Sequence, residues 1–105
     1  MKTTITFHGD LIVIRTYFNF SDYELALVTM ADLNNHAVTY ASTGSVGVNE
    51  HNTQKSSLTE FFKREAIPIT KETMLEQHDE VLQSKNFTSF IENLQSINDK
   101  NEQSH

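Results

Sequence analysis

The sequence predicts an α+β domain: an N-terminal antiparallel sheet of four to five strands, followed by two to three C-terminal helices packed on it. Three observations carry that expectation. The first half is built of β-branched and aromatic runs with a period of two, punctuated by turn residues. From Ser57 onward the apolar spacing changes to that of helices. No strand-like run follows the helical segments, which excludes the strand–helix alternation of a doubly wound sheet. The chain has 105 residues, the size of one domain. Such a domain buries roughly 65% of the surface its unfolded chain exposes, enough for one core.

Residues 3–7 alternate in polarity and form the first predicted strand, and His8-Gly9-Asp10 is a turn in which Gly9 is free to take positive φ. Leu11 to Phe20 is a longer strand. It opens with Leu11, Ile12, Val13 and Ile14, apolar on both faces, as in a central position. Further along, Ile14, Thr16, Phe18 and Phe20 share one face, and Arg15, Tyr17 and Asn19 the other. Ser21-Asp22 breaks the run. Tyr23 to Met30 is again apolar on both faces at its middle, and residues 32–35 are a turn by composition. His36 to Ser42 is the fourth strand, broken by Thr43-Gly44, and residues 45–48 are a candidate short fifth. Residues 49–56 are polar and read as a loop.

Ser57-Leu58-Thr59-Glu60 has the pattern of a capping box, and Leu58, Phe61 and Phe62 give the stripe of a short helix ending near Ala66. Pro68, the one proline, prevents a continuous helix. Thr70 is a suitable N-cap for a second helix with Met74, Leu75, His78, Val81 and Leu82 on one face. A third helix follows Ser84-Lys85-Asn86, with Phe87, Phe90, Ile91, Leu94 and Ile97 as its stripe. The expected division is a single domain over residues 1–98 and a polar, disordered tail over 99–105.

Composition restricts function. The net charge is -6, which repels phosphate backbones, and the only basic cluster is Lys63-Arg64 with Lys55 near it in sequence. Nucleic acid is therefore not an expected partner. With no cysteine, thiol chemistry and thiolate metal sites are ruled out. No segment has the length and apolarity of a membrane span or signal sequence, so the expected location is the cytoplasm, with no membrane partner.

No residue pattern names a reaction. Among the five histidines (His8, His36, His51, His78 and His105) no two lie within four residues, so no metal site is expected. Thr43-Gly44-Ser45-Val46-Gly47 fails the nucleophile-elbow pattern at Thr43 and has no helix immediately after it. Glu76, Asp79 and Glu80 fall on the solvent side of their helix. No catalytic residue, metal or cofactor is assigned, and the protein is expected not to be an enzyme.

The aromatic residues give the stronger signal. Tyr17, Phe18, Phe20 and Tyr23 crowd one strand pair, and Tyr40 lies on the next strand. These five are the candidate dimer or partner interface. Helices can roof only one side of a single-layered sheet, and the middle strands are apolar on both, so a second copy is the expected cover. The resulting expectation is a homodimeric interaction or regulatory module, with another protein partner allowed. Two alternatives stand beside it. One is a small ligand-binding or enzymatic domain with a pocket of His8, Asp10, His36 and His51. The other is an acidic inhibitor of a nucleic-acid enzyme, which calls for a continuous acidic stripe.

From Leu11 to Leu82 the chain also resembles a family of short cytosolic proteins of low-GC Gram-positive bacteria, a domain of unknown function. The resemblance lies in Arg15-Thr16-Tyr17-Phe18, Tyr23-Glu24-Leu25-Ala26-Leu27-Val28, Thr43-Gly44, and Leu58 to Phe62 with an acidic helix behind. Asn35-His36 and Ser56-Ser57 depart from the Gly-Lys and acidic pair of that pattern. The resemblance implies a small dimeric protein and assigns no functional residue.

Overall fold

The computed structural model describes the backbone of residues 1–20, 23–46 and 50–103. Strands β1 (Lys2–His8), β2 (Leu11–Asn19), β3 (Tyr23–Asp32), β4 (Ala37–Val46) and β5 (Glu50–Ser57) precede helices α1 (Thr59–Arg64), α2 (Lys71–Leu82) and α3 (Lys85–Gln103). The five strands form one antiparallel sheet in the order β1-β2-β3-β4-β5. The α+β expectation therefore holds, with helices packed on an N-terminal sheet.

Each strand pairs with its neighbour in sequence, and two of the turns have local causes. Gly9 adopts φ of 57° between β1 and β2, as expected of a residue without a Cβ. Between β3 and β4 the Asp32 carboxylate accepts from the Asn35 side-chain amide at 2.7 Å and from the backbone N–H of Asn34 at 3.0 Å. The Asn35 side-chain bond is the main reason the Asp32 carboxyl lies below its usual pKa. His36 follows at φ of 50° and belongs to this turn, not to β4.

All three helices lie on one side of the sheet. The core has two adjoining parts there. In the first, Leu25, Leu27 and Val46 meet Val81, Phe87, Phe90 and Leu94. In the second, Ile12, Ile14, Ala31 and Val38 meet Phe62 and Met74. Both helix stripes are thus buried as their spacing requires. The α2 cap also forms: Thr70 accepts from the Thr73 backbone N–H, and Thr73 returns a bond to the Thr70 backbone.

Four expectations need correction. The fifth strand is Glu50–Ser57, the segment whose polarity suggested a loop. Residues 45 and 46 extend β4, and 47–48 lie outside the described residues, as does the break expected at 21–22. β5 is an edge strand, where a polar sequence discourages further pairing. Thr43-Gly44 does not break β4. A Cβ on Gly44 would overlap the Leu94 side chain, so this glycine lets α3 approach the sheet. The capping box at Ser57 is absent: Leu58 is the N-cap of α1, with no side-chain cap bond. Thr59 instead ties the junction to β4, accepting from the Val38 N–H at 3.0 Å. Finally, α3 continues through polar residues to Gln103, well past Ile97. Residues 104–105 lie outside the described residues.

Candidate interaction surface

The register defines what the uncovered side of the sheet presents. Side chains alternate across a strand, so residues facing away from the helices fall in rows that cross the strands. One row is Tyr17, Ala26, Thr43 and Thr53. Two residues further along is Arg15, Val28, Ala41 and Lys55, and beyond it Val13, Met30, Thr39 and Ser57. On the other side of the Tyr17 row lie Asn19, Glu24 and Ser45.

This side is apolar at its middle but not greasy throughout. Val13 and Ala26 are buried by their strand neighbours alone, at 5% and 8% exposure, whereas Tyr17 and Met30 are 48% and 37% exposed. Small side chains floor two adjoining depressions. One, of about 480 Å³, is lined by residues that include Tyr17, Glu24, Ala26 and Thr43. The next, of about 330 Å³, includes Val28, Met30, Ala41 and Lys55. Together they make one trough along β3 and β4.

The five residues singled out for an interface do not share this side. Tyr17 does. Phe18 and Tyr40 point to the helices and pack against the core, and Tyr23 is buried in it. Phe20 is 42% exposed, stacked on Tyr23 at 4.5 Å between ring centres. Tyr23 keeps its hydroxyl paired, accepting from Gln95 Nε2 at 3.1 Å. Sequence reasoning grouped these aromatics by proximity along the chain; strand parity separates them. It passed over Ala26, Val28, Met30 and Ala41, whose alternation with the buried Leu25, Leu27 and Thr29 was the available signal.

The histidines fall in different places. His8 and Asp10 flank the β1–β2 turn and His36 the β3–β4 turn at the same end of the sheet, where the Leu33 N–H donates to the Asp10 carbonyl at 2.9 Å. The backbone of His51 pairs with Ser45, near the far end of β4. Eight residues of β4 separate that position from Ala37, about 27 Å at the rise of a strand. The side chain of His51, like His105, lies outside the described residues. No group of three or more potential metal ligands converges among the described residues. A shallow cleft of about 400 Å³ adjoins His36, between Leu33, Phe62 and Ile67–Ile69.

Among the described residues His78 is the one functional-looking side chain in the core. It is 1% exposed and bridges α2 to two strands, with Nε2 2.7 Å from Thr16 Oγ1 and Nδ1 2.7 Å from Thr29 Oγ1. Thr16 Oγ1 in turn lies 2.8 Å from Thr3 Oγ1. A neutral imidazole has one donor and one acceptor nitrogen, so one threonine hydroxyl accepts and the other donates. Removal from water pushes the His78 pKa down, and the neighbouring Asp79 charge opposes this. The neutral ring is a fully satisfied structural strut.

The charges are unevenly distributed. The chain has 14 acidic and 8 Lys or Arg residues. The uncovered rows hold Lys2, Arg15, Lys55 and Glu24, while Glu72, Glu76, Asp79 and Glu80 line the exposed side of α2 at helical spacing. Among the described residues no helix is long and apolar enough to cross a membrane. No family model, curated protein or solved structure matches this chain.

Proposed function

We propose that this protein is a non-catalytic cytoplasmic interaction module that acts as a homodimer, with the uncovered sheet side of one protomer laid against that of another. The observation that supports this reading is the segregation of the helices to one side of the sheet, which leaves Tyr17, Val28, Met30 and Ala41 without a roof. Strand spacing and length give that side roughly 650 Å² per protomer, close to the ~800 Å² that each partner commits to a standard interface. Sedimentation velocity over the micromolar range tests it. The expected result is a concentration-dependent dimer, weakened by Met30→Asp; a monomer throughout the range would remove the reading.

A second reading, the acidic inhibitor of a nucleic-acid enzyme, is favoured by the exposed row Glu72, Glu76, Asp79 and Glu80 on α2. It predicts binding to a basic protein that is lost when these four are changed to glutamine and is untouched by Met30→Asp.

A further inference from the structure

The cleft beside His36 lies apart from the uncovered trough, at the end of the sheet that carries the β1–β2 and β3–β4 turns. It is lined by Leu33 of the β3–β4 turn, by the buried Phe62 of α1, and by the connector Ile67-Pro68-Ile69. Its volume of about 400 Å³ falls within the roughly 300–1,000 Å³ common to small-molecule sites. Hydrogen bonds hold its walls in place. The Leu33 N–H donates to the Asp10 carbonyl at 2.9 Å, and Thr73 Oγ1 donates to the Pro68 carbonyl at 2.6 Å. The Ile67 N–H donates to the Phe62 carbonyl at 2.9 Å and the Ala66 N–H to the Lys63 carbonyl at 3.2 Å. Those last two bonds are the Schellman closure of a helix C-terminus. A cleft fixed in this way loses little conformational freedom when a small molecule enters it.

The same closure puts a side chain where glycine is the usual choice. Ala66 takes φ of 51° and His36 φ of 50°. They are the two non-glycine residues with positive φ among the described residues, and both line this cleft. Histidine tolerates that region better than most residues, whereas alanine is strained there. Strain kept beside a cavity points to a use for the group that causes it, here the Ala66 methyl. The rim is basic, since Lys63 and His36 are the titratable side chains of the lining. Acids near them in sequence are turned to other partners: Asp32 accepts from Asn34 and Asn35, and Glu65 lies 3.5 Å from Arg64. Glu60 reaches Lys63 only at 4.0 Å with both side chains mostly exposed, a pair too loose to hold the ammonium. We propose that this cleft binds a small apolar carboxylate, with its hydrocarbon part against Leu33, the Ala66 methyl, Ile67 and Ile69, and its anionic end toward Lys63 and His36.

Octanoate is a suitable probe, with the neutral octanamide as the control for charge. Titrated at neutral pH into isotope-labelled protein, octanoate should shift the backbone amide resonances of Leu33, His36, Ala66 and Ile67. The shifts should saturate at about millimolar concentration, as expected of a ligand this small in an open cleft. Octanamide should bind about fivefold more weakly, and Lys63→Gln should bring octanoate down to the level of the amide. Ala66→Gly should raise the denaturation midpoint, because the strain leaves with the methyl, yet weaken octanoate about threefold, because a buried contact is lost. An alanine with a purely structural role would not give that pair of opposite signs. Octanamide binding as tightly as octanoate, shifts confined to Tyr17 and Val28 of the trough, or Ala66→Gly leaving binding unchanged would each overturn the assignment. So would the absence of saturable shifts at the four cleft amides. The homodimer is read separately, by sedimentation, and stands or falls without this cleft.

Discussion

The two sides of the sheet are made from the same strands but solve different problems. On the covered side, Leu25, Leu27, Thr29 and Ala31 of β3 alternate into the core, none more than 3% exposed. The intervening Ala26, Val28 and Met30 pass from buried to 37% exposed with no helix above them. The covered side has large side chains, one glycine that admits a helix, and a threaded polar network. The uncovered side has a floor of small side chains flanked by Tyr17 and Met30, with the charges of Lys2, Arg15, Glu24 and Lys55 among them. Burial of the first set is complete within one chain, whereas the second keeps Tyr17 and Met30 partly open to solvent.

Substitutions on adjacent residues sharpen that contrast. The largest loss is expected for Leu27→Ala, about 3 kcal/mol, because the side chain is fully buried and its cavity cannot collapse. Chemical denaturation gives this value directly. His78→Ala follows at about 2–3 kcal/mol, since it leaves Thr16 and Thr29 with missing partners as well as a void. Gly44→Ala should cost about 1–2 kcal/mol through its overlap with Leu94, and an added Leu94→Ala should give less than the sum of the two single losses. At the lower end, Thr39→Ala, exposed on the uncovered side, should change protomer stability by less than about 0.5 kcal/mol.

On the covered side the pH dependence rests on His78. The folded protein holds His78 below the ordinary histidine value of 6.5, so the unfolded chain binds its proton more readily. The contribution of the neutral ring is complete above pH 6.5 and is lost as the pH falls from there through the folded pKa. Denaturation midpoints measured between pH 8 and pH 5 should fall on acidification, and His78→Gln should flatten that slope. An unchanged slope would show that another group carries it.

Much of this was legible in the sequence, for definite reasons. Period-two runs marked β1 to β4, and the stripes of α2 and α3 fixed which helix residues would be buried. The strand β5 was not legible, because an edge strand with a polar sequence carries no apolar alternation to detect. Gly44 looked like a turn because glycine is a turn former first; its use as a landing site for Leu94 depends on a residue fifty positions away in sequence. The environment of His78 was open for the same reason, as its partners lie 62 and 49 residues away. The candidate interface was half legible. Two-sided apolarity pointed to an uncovered side, but closeness along the chain grouped Phe18, Tyr23 and Tyr40 with Tyr17, and the cross-strand register was needed to separate them.

The nearest-neighbour strand order has a kinetic consequence. A meander needs only short loops to close, so hairpins form in microseconds and the sheet can grow one strand at a time. Residues that roof it, from Phe62 to Leu94, come last in the chain. During synthesis the ribbon therefore emerges with both surfaces wet, and Leu25, Leu27 and Ile14 must wait for the C-terminal segments before they leave solvent. That interval, rather than the finished fold, is when this polypeptide is most exposed to sticking to its neighbours.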